Sequence, residues 1–282
     1  MMPLGALALG IAPGLFWLWF FYSRDKLEPE PKALVIKMFF LGMLGVVPAF
    51  FLEVELEQYQ FFSMVILAPV LEELIKFLIV LLFVYRDKEF NEPMDGIVYA
   101  AAVALGFASA ENPLYVLDAF PLSGMNMGME ATGEQWEDFW RIVVIRAVLT
   151  VPGHALWSCI WGYALGRARF MPPGQGNRLV VLGLMGGIAF HSLHNLAAVY
   201  VHSFAPVAIF AIAVLFWIKT GQNIRAALAE SPFAPGAKLK AAMDAGSLAK
   251  AGEKLNAPLQ GEKPGTPDDT PDTPENGTRG ES

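Results

Sequence analysis

The sequence has a single cysteine, Cys159, in 282 residues, and only 17% of its residues are charged against 55% hydrophobic. Soluble domains carry about 25% charged residues and roughly 45–50% apolar ones. A lone cysteine excludes an intrachain disulfide framework and a Cys-based zinc site. The shortage of charge and the lack of a basic patch exclude a soluble enzyme and a nucleic-acid binder. HExxH, the most specific sequence sign of a helical zinc protease site, is also missing.

What the chain has instead is long apolar runs. Seven nearly uncharged stretches, 3–22, 33–52, 61–85, 96–119, 139–166, 179–202 and 204–220, fill more than half of it. Each suffices to cross a bilayer, which takes about 20 residues. They predict an all-α, polytopic membrane helical bundle of about seven transmembrane helices. The first stretch lacks a basic n-region, so it reads as an uncleaved span rather than a signal peptide.

Lysine and arginine occur in 23–32, 86–95, 167–178 and from Lys219 onward, and are missing from 53–60, 120–138 and 203. Because basic residues favour the cytoplasmic side, this unbroken alternation places the N-terminus outside and the C-terminus in the cytoplasm. The acidic loop bearing Glu130, Glu134, Glu137 and Asp138 then lies outside. Residues 230–282 replace large apolar residues by Pro, Gly, Ala, Lys and Asp, with repeated Thr-Pro over 264–275. Such composition cannot offset ordering entropy, which predicts a disordered cytoplasmic tail behind a transmembrane domain of 1–229.

Ionisable residues inside spans are costly unless they face a protected interior, so each is a candidate for function. The third span carries Glu72, Glu73 and Lys76, the lysine lying four and three residues from the carboxylates and able to neutralise one of them. The fourth carries Phe107, Glu111, Asn112 and Pro113. The fifth carries His154 and, four residues on, Ser158. The sixth sets His191, His194 and Asn195 on one helical face. Counted from the outer span ends at 1.5 Å per residue, Glu72, Glu111, His154, His191 and His194 fall within roughly 12–22 Å of the outer boundary. One shared layer predicts a common hydrated cavity. Arg146 lies near the depth of Glu111 and is expected to pair with it. Gly162 with Gly166, and Gly183 with Gly187, have the GxxxG spacing of close helix contacts.

Carboxylates and imidazoles without a nucleophilic cysteine, a Ser-Lys pair or an Asp-Asp pair point to activated water. A glutamate can take the proton, while histidine and an amide such as Asn195 stabilise an oxyanion. The same groups could hold zinc through Glu72, Glu111, His154 and His191. Zinc and unassisted glutamate both remain open at this point.

These residues, in this order, resemble the PrsW family of intramembrane proteases, itself distantly similar to the CAAX-processing and bacteriocin-immunity membrane proteases. The resemblance covers most of 10–220. It runs from Arg24-Asp25-Lys26-Leu27-Glu28-Pro29-Glu30-Pro31 through EExxK (Glu72, Glu73, Lys76), FxxxEN (Phe107, Glu111, Asn112), HxxxS (His154, Ser158) and HxxxN (His191, Asn195). It implies a multi-pass peptidase of the bacterial inner membrane that cuts a membrane-embedded or membrane-proximal substrate, of anti-sigma-factor type in the best-known case. Partners would be that substrate and the lipid bilayer, with no nucleic acid. By resemblance Glu72 and Glu73 are the water activator and its partner, His154 and His191 catalytic or ligand histidines, and Asn195 the oxyanion or orienting amide. His194 lies inside the pattern without being one of its fixed letters. Two rivals use similar residues. A proton-coupled transporter would favour inverted repeats, which 3–119 and 139–220 do not show; a non-catalytic binding protein on the same fold would survive substitution of Glu72.

Overall fold

The computed structural model describes residues 2–54, 60–121, 132–200, 205–237 and the single positions 243 and 246. All regular structure among them is helical. Seven helices follow the seven apolar stretches in order: α1 (Met2–Tyr22), α2 (Lys32–Val54), α3 (60–83), α4 (Pro93–Asp118), α5 (Gly133–Arg169), α6 (Asn177–Tyr200) and α7 (Ala205–Glu230). Five of them, α1, α2, α4, α5 and α6, are long and apolar enough by length and composition to cross a membrane. Leu44, Phe51, Leu82, Leu182 and Leu215 project outward, each more than half exposed. Such a surface is unsuited to water and suited to lipid.

Two boundaries differ most from the sequence expectation. α5 begins at Gly133 rather than 139, because Thr132 and Gln135 form a capping box: each side chain accepts the other's backbone N–H. α7 continues to Glu230, since Arg225, the alanines and Leu228 sustain a helix past the apolar run. The chain divides into compact units Met1–Ala237 and Lys238–Ser282. Glu130, and the expected tail past 237 apart from positions 243 and 246, lie outside the described residues.

The bundle is organised around α4, of which 94% of the apolar window is buried, against 22% for α1 and for α6. Its Gly and Ala residues allow neighbouring backbones to approach closely. A Cβ on Gly96 would lie 2.2 Å from the Gly162 carbonyl oxygen and 2.9 Å from Gly166 Cα, so the first GxxxG pair of α5 seats directly on α4. Across the bundle, a Cβ on Gly42 of α2 would lie 2.0 Å from the Val103 carbonyl oxygen.

α3 and α5 share a device. Each contains a π-turn, Ser63–Leu67 and Arg146–Thr150, in which the closing N–H, of Ala68 or Val151, reaches back to the first carbonyl. The next residue is Pro69 or Pro152, which has no N–H to offer. The carbonyls of Met64 and Ala147 are thereby left without a helical donor. Other helices supply one: Asn195 Nδ2 donates to Met64 O at 2.9 Å, and Trp17 Nε1 to Ala147 O at 2.9 Å. Interrupted helices are tolerated at membrane depth because neighbours re-satisfy the backbone in this way.

Candidate active site

The C-terminal halves of α2, α4 and α6 and the N-terminal half of α3 converge with His154 of α5 on a cavity of about 490 Å³. Glu53, Glu72, Glu111, Tyr115, His154, His191 and Asn195 line it.

Lys76, wholly buried, is the centre from which the rest is built. Its ammonium has three hydrogens and three acceptors: Glu72 Oε2 at 3.0 Å, Glu73 Oε1 at 2.9 Å and His154 Nδ1 at 3.0 Å. The Phe107 ring lies 4.5 Å from Nζ, placing the aromatic of FxxxEN as a cation–π wall. Since Nδ1 of His154 accepts, its Nε2 carries the hydrogen and faces Glu111 Oε2 at 3.3 Å.

The adjacent glutamates have opposite environments. Glu73 is saturated: Oε2 accepts from Ser158 Oγ at 2.7 Å and Trp161 Nε1 at 2.9 Å, and Oε1 accepts from Lys76 and faces His191 Nδ1 at 3.3 Å. The Glu72 carboxylate is held by Lys76 alone and faces the cavity, with His154 Nδ1 at 3.6 Å and His191 Nε2 at 4.0 Å from Oε2. His191 donates from Nδ1 to the Glu73 anion, which leaves Nε2 a lone pair. Trp157 stacks on the His191 ring at 4.1 Å and fixes its plane.

Arg146 pairs with Glu111 at 3.8 Å, as its depth implied, but its main hydrogen bond is Nε to Asn112 Oδ1 at 2.5 Å, with Tyr115 under the guanidinium. Asn112 Nδ2 in turn donates to Gly10 O at 2.8 Å, tying α4 to α1. His194 packs on Trp157 at 4.8 Å and is buried behind the cavity wall. Asn195 lines the cavity, with its amide hydrogen committed to Met64.

Residues 30–219, two-thirds of the chain, match the family described as PrsW family intramembrane metalloprotease. The chain belongs to the PrsW family of intramembrane proteases. Among its relatives, Protease PrsW of Geobacillus kaustophilus is 38% identical over 169 residues, covering 58% of this chain and 67% of the relative. Protease PrsW of Bacillus subtilis is 34% identical over 67% of this chain and 80% of its own, and that of Oceanobacillus iheyensis 33% identical over 76% and 92%. No solved structure gives a significant match.

The PrsW family's description implies a metal, and the donor set fits one. Glu72, His154 and His191 are buried and offer ligand atoms within 4.8 Å of one another, the carboxylate-and-imidazole combination that suits zinc. Glu111 Oε2 faces the same space, buried and without a hydrogen bond. Sequence reasoning passed over Glu53, whose carboxylate lines the cavity with a buried, unpartnered Oε1. Its signal was a carboxylate in the last turn of α2, which the apolar boundary at 52 assigned to a loop.

Proposed function

We propose that this PrsW-family chain is a seven-span protein of the bacterial cell membrane, N-terminus outside, that hydrolyses a peptide bond of a membrane-embedded or membrane-proximal protein. The reading rests on one observation: of the adjacent glutamates, Glu73 is locked by four neighbours while Glu72 presents its carboxylate to the cavity. Glu72 is the general base, taking a proton from cavity water and delivering it to the leaving amine. His154 offers Nε2–H to the carbonyl oxygen as negative charge develops. His191 orients the water through its Nε2 lone pair. Glu73 and Lys76 are positioning residues that fix Glu72 and both imidazoles.

Glu72 and the Nε2 lone pair of His191 would hold a zinc ion, with Glu111 beside them, and His154 would join them on giving up its Nε2 proton. When bound, zinc supplies positive charge that polarises a carbonyl and makes water more acidic. The exposed Phe50 and Met64, 53% and 45% accessible, sit at the cavity rim and support lateral entry from lipid. The resemblance supports a membrane-protein substrate of anti-sigma-factor type. We read Asn195 as a stitch between α6 and α3 rather than an oxyanion donor.

The test is cleavage of a co-expressed single-span substrate by wild type and by Glu72→Gln. Cleavage should disappear while the variant retains its wild-type melting profile. Unchanged cleavage by the variant defeats the reading in favour of another activity on this fold.

A further inference from the structure

A second buried group of acids lies at the other end of α4. Asp95 is 16 residues before Glu111 in the same helix, about 24 Å away at 1.5 Å per residue. Asp25 and Glu30 come from the segment joining α1 to α2, and Glu92 and Asp95 from the start of α4. Their exposures are 4%, 1%, 0% and 0%. Oxygens of Asp25, Glu30 and Asp95 lie within 4.8 Å of one another.

The donors around this group each hold one oxygen and leave another bare. Tyr99 donates to Glu30 Oε2, leaving Oε1 unpartnered. The backbone N–H groups of Asn91 and Glu92 donate to Asp95 Oδ2 at 2.5 and 2.8 Å, leaving Oδ1 unpartnered. Ser231, beyond the end of α7, donates to Glu92 Oε2. Neither Asp25 oxygen has a well-formed hydrogen bond, its polar neighbours being the Glu30 backbone N–H and the Glu92 carboxyl. Among the described residues, no lysine, arginine or histidine forms an ion pair with any of the four. Arg24, next to Asp25, lies over the Phe20 ring instead. Burial, with the neighbouring Glu92 and Asp95 carboxylates, pushes Asp25 up to about 8, and burial first of all pushes Glu30 up to about 10.

Buried carboxylates without partners are among the costliest arrangements a fold can hold. Oriented oxygens at this spacing, with no nitrogen or sulfur donor among them, match hard cations. We infer that Asp25, Glu30 and Asp95 form a binding site for a divalent hard cation such as Ca²⁺ or Mg²⁺, clamping the α1–α2 segment to the start of α4. The site is distinct from the catalytic cavity. It gives a task to the acidic Glu-Pro-Glu-Pro segment, which the proposed chemistry does not use.

The test uses the full chain, purified in detergent, stripped with EDTA and dialysed at pH 7.5. Mn²⁺ binding is read by paramagnetic resonance, and thermal melting is followed with added Mg²⁺ or Ca²⁺. Wild type and Glu72→Gln should both bind Mn²⁺ and melt several degrees higher with cation. Asp25→Asn should lose both responses. Asp95→Asn serves as a second variant should the first fail to fold. A wild-type chain with no Mn²⁺ signal and no cation-dependent shift overturns the site, leaving protons as its neutralising agent. A response lost in Glu72→Gln and kept in Asp25→Asn overturns it too, by assigning the cation to the cavity.

Discussion

Lys76 Nζ lies 3.0 Å from His154 Nδ1, an α3 ammonium donating to an α5 imidazole. This single contact fixes the ring's tautomer and turns Nε2–H toward Glu111. It also makes Lys76 the common partner of every group proposed to handle protons. Lys76→Met would leave two buried carboxylates uncompensated. Removing one partner of a buried ion pair costs about 3–5 kcal/mol. The expected outcome is little folded protein after detergent extraction, measured by size-exclusion recovery and melting; a wild-type melting profile would contradict the central role of the lysine.

The two glutamates should separate by stability. Glu73→Gln places an NH₂ group among donors, next to Ser158, Trp161 or Lys76. Leaving buried donors unmatched costs about 1–3 kcal/mol, so this variant should melt clearly lower as well as lose activity. Glu72→Gln should lose activity alone. Equal melting of the two variants would remove the distinction drawn between them.

Asn195→Ala should cost about 1 kcal/mol of stability by orphaning Met64 O, with cleavage retained. An oxyanion donor would behave differently, with kcat falling about 100- to 1,000-fold. A split between kcat and melting temperature decides which task the amide performs.

Metal analysis of purified wild type should find one zinc per chain, reduced in both Glu72→Gln and His191→Ala and unaffected by Asp25→Asn. Full activity in metal-free protein would leave Glu72 to activate water unaided.

Gly96→Leu should prevent folding. Its Cβ alone would lie 2.2 Å from a backbone oxygen of α5, which has no rotamer by which to yield. Folded, active Gly96→Leu would mean that the α4–α5 contact can open.

The sequence alone determined the helical class and the order of the apolar stretches, because 20-residue uncharged runs have few other uses. It also singled out Glu72, Glu73, Lys76, Glu111, His154 and His191, since ionisable groups in apolar helices stand out against their surroundings. The tertiary structure decided which of them face which. Glu72 and Glu73 are neighbours in sequence, both within reach of Lys76, and differ because α5 brings Ser158 and Trp161, and α6 brings His191 Nδ1, to one of them. The need for Asn195 at Met64 came from a proline-terminated π-turn, a backbone irregularity that residue spacing does not reveal. Asp25, Glu30 and Asp95 were invisible as a group, because two lie in a loop and one begins a helix some 65 residues later; only packing of the α1–α2 segment against α4 unites them.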